Sequence, residues 1–264
     1  MEELFLPQEI LDFVKDKSFY KDSTGLSGAD IYIFDDMVLK ISGDKFEAEY
    51  EHGMLKLFES SDLFPQIICF LQENGLNYTL MTKIEGKMSC CEEFMRNPDF
   101  LLKAVTDGLK SLWNVDITDI CGIKRLEDKL SDAKYRVEHG FVDVEDAEEG
   151  TFSENGFKNP EELLSWLFEH RPIEDLVLSH GDFCLPNVFI DNGKFSGFVD
   201  VGRMSICDRW NDIAICLRSL RSNFSGRYNG INYPGFDEDK FFSLLGIEPD
   251  YEKIKYFILL DELF

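Results

Sequence analysis

The stretch Ser179-His180-Gly181-Asp182-Phe183-Cys184-Leu185-Pro186-Asn187-Val188-Phe189-Ile190 is followed closely by Gly197-Phe198-Val199-Asp200-Val201-Gly202-Arg203. Asp182 and Asn187 fall on a short loop that runs into a strand. Asp200 follows on the return strand of a hairpin turned at Asp191-Asn192-Gly193. A hairpin brings the start of its first strand near the end of its second, so Asn187 and Asp200 are expected to face each other. An amide oxygen and a carboxylate are hard ligands suited to Mg2+, which takes few protein ligands and keeps water and phosphate oxygens for the rest. Asp182 would lie just off that pair, placed to accept a proton from a hydroxyl. The bland alternative is two turn aspartates and a loop asparagine; the nearby Asp-Val-Gly argues against it.

Such chemistry needs elements that grip a phosphate chain. Residues 29–34 and 37–41 read as strands joined at Asp35-Asp36, and 66–71 and 77–82 as a second pair joined across Glu73-Asn74-Gly75. Between the pairs, residues 44–59 read as a helix, with Tyr50, Met54, Leu57 and Phe58 at helical spacing. Val38 and Lys40 share one strand face, with Leu39 and Ile41 on the other. Val38 would then roof a purine while Lys40 reaches the phosphates. A cation drawn out of water needs a partner; Glu51 on the following helix is the candidate, with Glu47 one turn earlier the alternative. Gly25-Leu26-Ser27-Gly28-Ala29 reads as a turn whose backbone N–H groups and Ser27 hydroxyl meet phosphate.

After Gly86 the pattern turns helical, near 98–114, 123–138, 160–170, 208–221, 237–245 and 251–263, with a strand-rich island at 187–200. Sheet followed by helices predicts an α+β protein of two lobes, with a cleft between them. Residues 1–86 would form the nucleotide-binding lobe, including a hinge, and residues 87–264 the helical lobe with the catalytic loop and substrate pocket.

The spacing H-x-D-x-x-x-x-N, then D-x-G, resembles the kinase catalytic loop. Together with Asp208-Arg209-Trp210-Asn211-Asp212-Ile213-Ala214 and the ending Leu260-Asp261-Glu262-Leu263-Phe264, the chain is similar to the aminoglycoside phosphotransferases. Within them it most resembles the 3′-phosphotransferases of the broad-spectrum Gram-positive type. The resemblance implies a protein-kinase-like fold: a small antiparallel sheet with one helix, then a larger helical lobe. It implies an enzyme that uses ATP, or GTP, with Mg2+ to phosphorylate a drug hydroxyl, most often the 3′-hydroxyl, and so confers resistance. By the same resemblance Asp182 is catalytic, Asn187 and Asp200 hold the metal, Lys40 and Glu51 form the phosphate-gripping pair, and Ser27 touches phosphate. Met81 to Ile84, with Lys83, would be the hinge beside the adenine, and Asp212 would brace the catalytic loop.

The family binds its substrate through acids, because charge-assisted bonds to ammonium groups are each worth roughly 1.5–3 kcal/mol. Here Asp261, Glu262 and the carboxylate of Phe264 form an anionic end, where acids oppose the helix dipole until a cationic ligand relieves them. The acid-rich stretch 138–162 would act as a flap, with Glu149 and Glu154 as contacts, and Arg203 and Arg218 would orient acids. Three departures bear on substrate range. Val38 replaces an aromatic found in some relatives, Ser222 and Asn223 stand where the closest type has acids, and Leu185 replaces an Asp. They leave open a kinase of the same fold acting on another alcohol, choline-like or a sugar metabolite.

Composition bounds the partners. The chain has 264 residues, with 27 Lys+Arg against 51 Asp+Glu and a net charge of -24, which disfavours nucleic acid and anionic membrane. An acidic surface instead concentrates cations. The seven cysteines show no C-x-x-C spacing, the expectation for free thiols in a reducing compartment. No signal-like N-terminus or long apolar run is present, so a cytoplasmic location is expected, with no protein partner implied.

Overall fold

The computed structural model describes residues 6–22 and 28–264. It divides into two compact units. Unit 1 comprises Met1–Met88 with Pro186–Arg203, and unit 2 comprises Ser89–Leu185 with Met204–Phe264.

Unit 1 opens with helix α1 (Gln8–Val14), then β1 (Tyr20–Asp22), β2 (Asp30–Ile33), β3 (Met37–Ser42), α2 (Lys45–Leu57), β4 (Ile67–Glu73) and β5 (Leu76–Thr82). The five strands form an antiparallel sheet in the order β1-β2-β3-β5-β4. Period-2 alternation sorts its faces. Leu39 and Leu80 have no exposure and pack with Tyr32, Phe34, Met37 and Tyr78 against Ile10 and Val14 of α1, while Lys40 points the other way. Helix α1 is one of the short elements that the sequence pattern does not predict: its seven residues carry only two buried positions, too few to show a period. Helix α2 starts on Asp44, whose side chain accepts the Glu47 N–H at 3.0 Å, and packs on β4 and β5.

The strands β6 (Lys87–Met88), β8 (Val188–Asp191) and β9 (Lys194–Phe198) make a second sheet in the order β6-β8-β9. The turn at Asn192-Gly193 has positive φ at both residues, 45° and 82°, as a two-residue hairpin with right-handed twist requires. The sequence reading assigns this hairpin to the helical lobe, yet it packs within unit 1. The Phe198 N–H donates to Leu63 O at 2.8 Å, the Phe198 ring lies 5.9 Å from that of Phe64, and β6 pairs with β8.

Unit 2 is built from α3 (Glu92–Met95), α4 (Pro98–Trp113), α5 (Leu126–Glu138), α6 (Pro160–Glu169), β7 (Leu176–Ser179), β10 (Ser205–Asp208), α7 (Trp210–Phe224), α8 (Glu238–Leu245) and α9 (Tyr251–Asp261). Side chains of Asn97, Asn159, Asp237 and Asp250 cap α4, α6, α8 and α9, with Pro98 and Pro160 in first-turn positions. Helix α7 is buried along most of its length and packs on α9, α4 packs on α8, and α5 on α6. Strands β7 and β10 pair antiparallel, Leu178 opposite Ile206. No helix among the described residues is long and apolar enough to cross a membrane.

Gly86 ties β6 to the hairpin. Its φ is +98°, and a Cβ there would stand 2.2 Å from Ile190 O. We expect G86A to cost ~1–3 kcal/mol or more in urea unfolding, since backbone strain adds to a clash with main-chain atoms. A G86A protein with an unchanged midpoint would remove this contact from the fold's support.

Candidate active site

In unit 1, Lys40 on β3 is 8% exposed and its ammonium sits between two carboxylates. It donates to Glu51 Oε2 at 2.9 Å and to Asp200 Oδ1 at 2.9 Å. Burial pulls the lysine pKa down, but Glu51 and then Asp200 outweigh it and hold the pKa above the ordinary range, so Lys40 stays charged. Glu51 is 2% exposed and comes from α2; Glu47, the alternative partner, is exposed, and a Cβ at Gly202 would lie 3.1 Å from its Cγ.

Asp200 lies just past β9 with φ +62°, a left-handed conformation that Asp tolerates and that turns its side chain out of the ladder. Asn187, buried, starts the same hairpin, and its main-chain oxygen accepts the Val199 N–H at 3.1 Å. The hairpin thus sets an amide and a carboxylate at neighbouring positions of one unit. Val38 is half-buried one register step from Lys40, opposite Met81. In the expected hinge, Met81 and Ile84 are buried, and the Lys83 N–H donates to Asp36 O at 3.4 Å. Ser27 and its neighbours from Ser23 lie outside the described residues. Arg203 is exposed at the end of unit 1.

In unit 2, Asp182 follows β7 on a turn held from behind. The carboxylate of Asp212, on α7 and fully buried, accepts the His180 N–H at 2.8 Å, the Gly181 N–H at 2.9 Å and the Ser179 hydroxyl at 2.9 Å. The Asp182 N–H lies 3.4 Å from His180 Nδ1, whose ring is itself fully buried. Asp182 is half-buried. Leu185, two residues on from Phe183, is buried, and its N–H donates to Ser219 Oγ at 3.0 Å.

At the end of α9 the expected anionic surface is already compensated. Arg218 of α7 bonds Asp261 and, at 3.2 Å, Glu262. The two carboxylates hold its pKa raised despite burial. Arg218 therefore relieves the helix-end acids that the sequence reading left for a cationic ligand to relieve. Glu262 Oε2 also accepts the Glu148 N–H at 2.8 Å. The acid-rich stretch 138–162 meets the end of α9 through Glu148; Glu149 and Glu154, the contacts expected from the sequence, are both exposed. Arg136 of α5, absent from the sequence reading, donates to Leu263 O at 2.9 Å and to a main-chain oxygen of Phe264 at 3.3 Å, and lies over the Phe264 ring. Neither Glu148 nor Arg136 stands out in the sequence, because both sit in runs of ordinary surface charge.

A family model described as a phosphotransferase enzyme family matches residues 29–253. The chain is 33% identical to an aminoglycoside 3'-phosphotransferase of Enterococcus faecalis and 32% identical to one of Staphylococcus aureus, in each case over 100% of both chains. Among solved structures, a crystal structure of aminoglycoside-3'-phosphotransferase of type VIII superposes with a TM-score of 0.77 at 25% identity, covering 94% of each chain. The aminoglycoside phosphotransferase APH(3'')-Id of Streptomyces rimosus, solved with ADP and streptomycin, gives a TM-score of 0.76 at 19% identity, over 96% of this chain and 95% of that one, a likeness of fold.

The ion pair on β3 has a separable energetic signature. Removing one partner of a buried pair strands the other, so we expect K40M to lose ~3–5 kcal/mol of stability in urea. The double variant K40M/E51M, which leaves no stranded charge at position 51, should recover most of that loss. A double variant no more stable than K40M would show that Glu51 does not depend on Lys40.

Proposed function

The chain belongs to the phosphotransferase enzyme family, and from that premise we propose that it transfers the γ-phosphoryl group of ATP to the 3′-hydroxyl of an aminoglycoside. The observation that carries this reading is the buried Lys40 held between Glu51 and the Asp200 of Asp-Val-Gly. A cation so placed, fully charged and kept from bulk water, is suited to phosphate oxygens.

Asn187 and Asp200 suit Mg2+ by their donor chemistry: two hard oxygens from one hairpin, leaving the remaining ligands to phosphate and water. When bound, the ion offsets the negative charge of the phosphate chain. The protein's own steps follow from its side chains. Asp182 accepts the hydrogen bond of the substrate hydroxyl and takes its proton as the oxygen attacks the γ-phosphorus. The new O–P bond forms as the bond to the bridging oxygen breaks, and ADP departs with that electron pair. Lys40 neutralises the phosphate oxygens throughout. Asp212 keeps the turn bearing Asp182 in place, so the base is oriented before the substrate arrives.

Substrate ammonium groups are assigned to Asp261, Glu262 and Phe264, with Arg218 fixing the two acidic side chains. Glu149 and Glu154 of the flap, and Arg203, are assigned secondary contacts. Nucleotide contacts are assigned to Val38 on β3 and Met81 opposite it on β5, near Lys40 in the same ladder, and to Lys83 and Ile84, which follow β5 directly. The product would carry a dianionic group on a polycation, and by that change of charge we assign the protein to drug resistance.

A coupled assay for ADP release with kanamycin, neomycin and choline tests the substrate class. Turnover with either aminoglycoside and none with choline is expected; turnover with choline alone would transfer the protein to the other class of small-alcohol kinases. D182A should lower kcat at least ~100-fold, the ordinary contribution of a general base. Near wild-type turnover in D182A would remove that residue from its role.

A further inference from the structure

The turn that presents Asp182 is backed by a polar network reaching a second helix. Asn211, 3% exposed, donates from Nδ2 to Ser179 Oγ at 3.0 Å and to Asp212 Oδ1 at 3.4 Å. Its Oδ1 accepts a hydrogen bond from Lys129 Nζ at 3.1 Å. Lys129 projects from α5, lies 82 residues from Asn211 in the chain and is 8% exposed. Its ammonium makes no ion pair within 4.0 Å among the described residues, so the amide oxygen of Asn211 is its hydrogen-bond acceptor. Asp212, one residue on, has no exposure and carries a negative charge that four donors share.

A buried anion and a buried cation one amide apart are not independent. The amide carries its positive end toward Asp212 and its negative end toward Lys129, so each charge polarises the group that serves the other. The same amide fixes Ser179, whose hydroxyl is the third donor to Asp212. We propose that Lys129 is a positioning residue for phosphoryl transfer: through Asn211 it supplies the countercharge that keeps Asp212 locked on the His180 and Gly181 amides and so holds Asp182 in place. The proposal rests on the reading of Asp182 as the base, but its mechanical half does not.

Two measurements separate those halves. Hydrogen exchange at the His180 and Gly181 amides needs no substrate. In K129M it should quicken by ~10-fold or more, while the amides of Leu39 and Leu80 in unit 1 keep wild-type rates. Steady-state kinetics of the intact protein with kanamycin and ATP should show kcat reduced by ~10-fold or more, with both KM values within ~2-fold, because a displaced base costs turnover rather than binding. K129R, which keeps the charge, should restore both readouts. If K129M fails to fold, K129Q carries the test, since it removes the charge and keeps a polar N–H on a side chain one bond shorter. Wild-type exchange at His180 and Gly181 in the neutral variant, or a K129R as impaired as K129M, would overturn the proposal. A wild-type protein without kinase activity but with the expected exchange pattern would leave the network standing and bring down the reading of Asp182.

Discussion

A fully buried carboxylate must find donors for all of its charge, and Asp212 finds them in the three consecutive residues that precede Asp182. That constraint fixes the backbone of the turn more firmly than strand pairing could, because β7 ends at Ser179. Moving His180 or Gly181 away would orphan part of the Asp212 charge inside the protein, an expense of several kcal/mol in a low dielectric. Unit 1 solves the opposite problem with the same means: Lys40 is a buried cation matched by the carboxylates of Glu51 on α2 and of Asp200, two residues past β9. In both units a charge taken out of water dictates the local geometry.

The residues in these two arrangements are legible in the sequence. Lys40 stands alone among apolar strand residues, Glu51 lies on the helix that follows, and His-Gly-Asp with a downstream Asp-Val-Gly has few structural explanations. What escaped reading has physical causes. Strands β7 and β10 are four residues each, and β10 is buried on both faces, so neither shows alternation. The hairpin 186–203 carries no label saying which unit it packs on; that is decided by Leu63, Phe64 and Gly86, more than 99 positions upstream. Lys129 and Asn211 look like an ordinary helix lysine and a first-turn asparagine, and only burial gives them meaning.

The end of α9 shows how charge counting in a sequence can mislead. Asp261 and Glu262 look like two uncompensated charges, but Arg218 bonds both, and Arg136 reaches the main-chain oxygens of Leu263 and Phe264. Such acids are held in fixed directions. Their geometry rather than their number would select among cationic ligands. Much of the protein's large negative balance resides in exposed residues such as those of 138–162, where it is screened within about 8–10 Å by salt.

The interleaving of the two units sets an order on how the chain can be born. Unit 1 is complete only when Arg203 has emerged from the ribosome, long after its five-stranded sheet has been synthesised. Until then Leu63 O and the Phe64 ring lack the hairpin that covers them, so the early sheet must wait, partly bare, while the first helices of unit 2 are made. A nascent protein of this design is open to proteases and holdase chaperones during that interval. No fragment ending at Met88 would be expected to behave as a self-sufficient module.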